Sequence, residues 1–113
     1  MLTMEVHDME LALKRATGKP ELAAELHQML LKSSGEIKGL MEQSWRSGDY
    51  KGLLVHVHKL NGSTRYCGVP ELEACAEQLE ILLKRDEKEL DQGYQALIDA
   101  IDRLTQQTVY FKS

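Results

Sequence analysis

The chain has 113 residues, 42% of them hydrophobic and 28% charged, with a net charge of −4 at neutral pH. That length suits one domain with a real core and is too short for two. The acidic balance offers no extended basic stripe to neutralise phosphates, which argues against a general nucleic-acid binder. No stretch approaches the ~18 apolar residues of a membrane span, so no direct membrane contact is expected.

Aromatic residues make up only 5%, and Leu, Ala, Glu, Lys, Gln and Met dominate without β-branched runs. That composition predicts an all-α protein. The start, Met1-Leu2-Thr3-Met4-Glu5, lacks a basic segment followed by an apolar one, so no signal peptide is expected. Cys67 and Cys75 match neither a paired metal knuckle nor a redox dithiol motif. Both fall at apolar helical positions, which predicts two buried, reduced thiols and a reducing, cytoplasmic setting.

In chain order, helical spacing over about 4–16 is interrupted by Thr17-Gly18-Lys19-Pro20, a helix stop followed by a helix start. A long helix over about 20–46 carries the stripe Leu22, Leu26, Met29, Leu30, Ser33, Ile37, Leu40 and Ser44, all of it read as core. Ser47-Gly48-Asp49 closes it, and Ser47 or Asp49 caps a third helix over about 50–67 with the line Leu53, Val57, Leu60, Thr64, Cys67. Gly68-Val69-Pro70 separates this from a fourth helix over about 70–85 with Leu72, Cys75, Leu79 and Leu82, widened by Ala76 and Leu83. The fifth, about 88–108, carries Leu90, Tyr94, Leu97, Ile101, Leu104 and Thr108. Short connections between long amphipathic helices predict an antiparallel up-down-up-down four-helix bundle with an additional short N-terminal helix, a single domain over 1–113.

The segment His56-Val57-His58-Lys59-Leu60-Asn61-Gly62-Ser63 concentrates the chemistry. On a helical wheel whose zero is the apolar line of the third helix, His58 lies at about 140° and His56 at about −60°. His58 therefore faces solvent and His56 sits on the shoulder of the core. About 200° separates the two rings, so they cannot share one metal ion from a regular helix. Gly62 stands one turn after His58 and clears its face, although a helical glycine costs ~1 kcal/mol relative to Ala. A neutral imidazole is a good nucleophile, and Lys59 and Arg65 are placed to offset added negative charge. A lone surface histidine is most often only a surface residue, and Gly62 is the feature that weighs against that reading. Another explanation for Gly62 is that it admits a neighbouring helix.

At these residues the chain resembles the histidine-containing phosphotransfer (HPt) domains of multistep phosphorelays. Their pattern, Ala-His-x-Leu-Lys-Gly-Ser/Ala with a second Gly six residues past the first, is matched by Val57 to Ser63 and Gly68, and Leu72, Cys75, Leu79 and Glu80 also fit. Leu11-Ala12-Leu13, Gly18 to Ala23 and Tyr66 to Pro70 are similar to the C-terminal HPt domains of hybrid sensor kinases. The resemblance implies that His58 accepts a phosphoryl group at Nε2 from the aspartyl phosphate of a receiver domain and passes it to a response regulator. It implies a monomeric carrier without kinase chemistry, belonging to the cytoplasmic part of a larger sensor kinase. No cofactor is expected in this chain, and Mg²⁺ belongs to the receiver.

Lys59, Asn61, Gly62, Arg65 and Glu80 are the expected supporting residues, and Leu54, Lys59, Asn61 and Arg65 the expected docking patch. Two positions depart from the family. Asn61 replaces its lysine, and Lys59 and Arg65 are candidates to compensate. Val57 replaces its alanine. Glu80 fits the pattern and stands where some relatives use Gln to orient the imidazole. Two competing functions are a helical adaptor that docks receivers without carrying phosphate, and a metal- or acid-base-dependent enzyme. For the enzyme, His7, His27, His56 and His58 form no convergent set in the sequence.

Overall fold

The computed structural model describes residues 4–86 and 90–107. Among the described residues there are five helices: α1 (Met9–Arg15), α2 (Pro20–Ser47), α3 (Tyr50–Thr64), α4 (Pro70–Lys84) and α5 (Asp91–Gln106). Helix α3 packs on α2 and α4, α5 packs on α4 and α2, and α1 lies against α2. This is the four-helix bundle with a short N-terminal helix that the periodicity predicts.

Local chemistry sets most of the ends. Pro20 and Pro70 occupy first turns, where a missing N–H costs nothing. Gly48 takes the left-handed conformation, φ +70°, that ends α2, and its N–H reaches the carbonyls of Ser44 and Trp45. One residue on, Asp49 and not Ser47 caps α3, its Oδ1 accepting from the Gly52 N–H at 2.9 Å.

The N-terminal helix is shorter than its sequence pattern. Asp8 accepts from the Leu11 N–H and starts α1 at Met9, so the segment before it is not helical. There the Asp8 N–H donates to the Gly68 carbonyl at 2.8 Å, and the Glu71 N–H, in the first turn of α4, donates to the Glu5 carbonyl at 3.1 Å. The chain before α1 thus supplies a cap that α4 lacks from its own side chains. Helix α3 ends at Thr64, three residues before its predicted end. Beyond it Arg15 Nη1 donates to the carbonyls of Thr64 (3.1 Å) and Cys67 (2.7 Å), and the guanidinium pairs with Glu73 at 3.0 and 3.1 Å. The predicted limits 88 and 108 of the last helix, and Thr108 in its stripe, lie outside the described residues.

The stripe predicted for α2 is the main correction. The buried residues are Ala23, His27, Leu30, Ser34, Ile37, Met41 and Ser44, alternating steps of four and three as in a bundle seam. Leu22, Met29 and Leu40 are exposed, and Leu26 and Ser33 are half-buried. The seam takes small or polar side chains at Ala23, Ser34 and Ser44, while large apolar residues of α2 stand at its rim. His27 packs edge-on to His7 with ring centroids 4.9 Å apart, and burial pushes its pKa down to about 4. Cys67 is buried, with its thiol pushed up to about 11 by burial, whereas Cys75 is only half-buried. Among the described residues no helix is long and apolar enough to cross a membrane.

Candidate functional site

Helix α3 turns Leu53, Val57, Leu60 and Thr64 into the core, which directs His58 away from it. The His58 side chain is 72% exposed. His56 is half-buried, as its place on the wheel predicts.

Beneath His58 lies a carboxylate from α4. Glu80 is buried, with 9% of its side chain exposed, and its Oε2 lies 2.9 Å from Nδ1 of His58. Oε1 accepts from Nδ2 of Asn61 at 2.9 Å, and Lys84 Nζ sits 2.8 Å from Oε2. The Lys84 ammonium, with help from Asn61 and His58 and against the opposing effect of burial, holds the Glu80 carboxyl down to about 2. Glu80 is therefore ionised at neutral pH and can only accept hydrogen bonds. The neutral imidazole must carry its proton on Nδ1, leaving the Nε2 lone pair free.

This arrangement gives a pH dependence with a defined sign. A carboxyl held at about 2 in the folded chain, against an ordinary 4.5, contributes stability that is complete above pH 4.5 and lost as pH falls towards 2. The unfolding free energy from urea titrations should fall across that window, and more steeply than in Glu80→Gln. Equal slopes for the two proteins would refute the assignment.

Gly62 lies one turn past His58, and a Cβ built there would meet nothing within 4 Å. No neighbouring helix needs its missing side chain, so the packing explanation for this glycine fails. The notch opens onto a groove of about 440 Å³ between α2 and α3, lined by Leu26, Met29, Lys59, Gly62, Ser63 and Tyr66. Met29 and Tyr66 are both more than 60% exposed.

The predicted site residues divide accordingly. Lys59, Gly62 and Arg65 are exposed, and Leu54 is half-buried. Asn61 corrects its predicted place in a docking patch: it is only 7% exposed and turns inward onto Glu80. The cation in contact with the Glu80 carboxylate is Lys84, and neither Lys59 nor Arg65 takes that place. Lys84 was missed, although its spacing of four from Glu80 on one helix is a readable signal. Met29 was also missed as a surface residue, because an apolar side chain in helical register reads as core, and Tyr66 was not singled out as a surface contact.

A model of the Hpt domain family matches residues 25–107. The chain belongs to the Hpt domain family. It is 37% identical over 103 residues to the sensor histidine kinase GacS of Pseudomonas protegens, covering 91% of this chain and 11% of that protein. It is 33% identical over 102 residues to the signal transduction histidine-protein kinase BarA of Escherichia coli, covering 88% of this chain and 11% of BarA. The chain thus spans about a ninth of the length of these relatives. A crystal structure of the HPT domain from a Shewanella hybrid histidine kinase superimposes with a TM-score of 0.83 at 29% identity, over 88% of this chain and 87% of that one.

Membership carries the family role of a histidine carrier in a phosphorelay, a phosphotransfer domain and not a catalytic one. Hpt domains of hybrid kinases work with receiver domains and response regulators. The family match begins at residue 25, so α1 lies outside it.

Proposed function

We propose that His58 is the phosphoacceptor, taking a phosphoryl group at Nε2 from the aspartyl phosphate of a hybrid kinase's receiver domain and passing it to a response regulator. The observation that carries this reading is an exposed imidazole whose inner nitrogen is tied to a buried, ionised Glu80 at 2.9 Å. The Nε2 lone pair attacks phosphorus, the bond to the aspartyl oxygen breaks, and its electron pair stays on the aspartate. Such a loose transfer asks mainly for in-line positioning and charge stabilisation, which two proteins can share across an interface. Mg²⁺ belongs to the receiver's side of that interface, and the setting is the cytoplasmic part of a sensor kinase.

The receiver docks over the notch at Gly62 and the groove beside it, where Met29 and Tyr66 provide apolar contact and Lys59 positive charge. The direct test incubates the chain with a receiver domain charged at its aspartate by radiolabelled acetyl phosphate. Acid-labile, base-stable label on this chain is expected. Receiver binding without label would replace the carrier reading with the adaptor one.

Gly62→Leu tests the notch separately. The new side chain has open space in the free protein and improves helix propensity, so stability should hold or rise by up to ~1 kcal/mol. Transfer should drop at least about tenfold, because the branched side chain stands where the receiver must approach. Unchanged transfer would show that the notch is not the route.

A further inference from the structure

A pair of histidines joins the segment before α1 to the bundle. His7 is half-buried on that segment, His27 lies in the seam of α2 at 2% exposure, and their rings meet edge-on with centroids 4.9 Å apart. Main-chain bonds flank His7 on both sides: the Glu71 N–H donates to the Glu5 carbonyl at 3.1 Å, and the Asp8 N–H to the Gly68 carbonyl at 2.8 Å. Val6 adds partly buried apolar surface, and α1 adds Ala12 and Ala16, packed with Ala23. We propose that His7 and His27 form a proton-operated latch: when the pair takes up a proton, residues 4–19 leave the bundle as one unit, while the four long helices stay in place. This inference goes beyond phosphoryl transfer and does not depend on which residue carries the phosphoryl group.

Two imidazoles in contact are buried together at low cost only while both are neutral. A proton on either ring places a cation where water is largely excluded, and a second proton sets two cations side by side. Burial accordingly pushes His27 down to about 4, with His7 adding to the effect, and lowers His7 against the upward pull of Asp8 and Glu5. On release His7 returns to water and His27 gains access to it, so both rings approach the ordinary 6.5. The docked form therefore binds fewer protons. Its hold is complete above pH 6.5 and is lost as pH falls towards 4.

The released unit has little structure of its own. At seven residues α1 is too short to persist alone, so the strap and the helix should detach together. The main counterweight is Arg15, bound to Glu73 and to the carbonyls of Thr64 and Cys67, but this pair is about a quarter exposed and partly screened. The other titratable groups around the latch are Glu5 and Asp8 on the segment itself, Glu71 of α4, which pairs with Arg103 of α5, and the Cys67 thiol, pushed up to about 11. Of these side-chain types only imidazole ordinarily changes charge between pH 7 and 5. Release moves the start of the folded bundle from the corner beside Gly68 to Pro20.

The experiment uses the 113-residue chain, as wild type and as the double variant His7→Phe, His27→Leu, at pH 7 and pH 5. Amide protection factors, which remove the intrinsic effect of pH on exchange, should fall at least about tenfold at Asp8, Ala12, Ala16 and Glu71 of wild type, while those from Leu53 to Leu60 hold. In the double variant the fall should stay under about twofold. If that variant does not fold, ring titration of wild type by NMR still decides: His7 and His27 should take up protons in step with the loss of α1 protection. Unchanged α1 protection at pH 5, or an equal loss in the double variant, would overturn the proposal. So would protonation of both rings with α1 still protected, or a parallel loss in all five helices, which is global unfolding and not release of a latch.

Discussion

His58→Gln should abolish the acid-labile label, while His56→Gln should keep it within about twofold. Glutamine approximates the reach of the ring, but its amide nitrogen has a delocalised lone pair and cannot attack phosphorus. The fold should tolerate the change. The side chain is 72% exposed, and Glu80 retains Asn61 and Lys84 as partners. Stability within about 0.5 kcal/mol of wild type is expected, so a loss of label cannot be ascribed to unfolding. His56, half-buried on the same helix, presents no comparable nitrogen: it points about 200° away around the wheel and has no part in the Glu80 network. Radiolabel transfer followed by acid and base treatment reads both variants. Equal labelling of His58→Gln would move the phosphoacceptor to another residue.

Gly68→Ala should cost about 2–3 kcal/mol, a large fraction of a domain's stability. The reason is space and not backbone conformation. A Cβ at position 68 would collide with the Asp8 carbonyl oxygen and lie 2.6 Å from the Ala12 backbone nitrogen. These are main-chain atoms, held where the Asp8 N–H donates to the Gly68 carbonyl at 2.8 Å. They can yield only if α1 lifts from the bundle. That movement would expose the small cluster of Ala12, Ala16 and Ala23 and take Arg15 away from the end of α3. Urea unfolding should show the loss, and amide exchange should show α1 losing protection while α3 and α4 keep theirs. A stability change under about 0.5 kcal/mol with α1 still protected would disprove the close-packing account.

Much of this protein is local and therefore readable. Helix periodicity, the stop at Gly48, the cap at Asp49 and the starts at Pro20 and Pro70 depend on residues within a turn or two of each other. So does the outward direction of His58, because the apolar line through Leu53, Val57, Leu60 and Thr64 fixes which side of α3 is buried. Other features depend on how helices meet. Asn61 lies about 80° from the core direction of α3, a flank that is open on an isolated helix and is closed here by α4. On α2, two overlapping stripes compete, and the apolar content of Leu22, Met29 and Leu40 favours the wrong one. The bundle instead selects the seam through Ala23, His27, Leu30, Ser34, Ile37, Met41 and Ser44, the register that faces the neighbouring helices.

By itself, then, the amino-acid order determined five helices, their main caps and the reactive face of α3, since each follows from a repeat or a contact within about four residues. Only the tertiary structure decided that Glu80, twenty-two residues from His58, lies 2.9 Å beneath its ring with Lys84 on the same oxygen. It also decided that the segment before α1 folds back onto Gly68. Those contacts require a particular register between helices. That register is set by how side chains from all of them fill one core, which no single helix's periodicity contains.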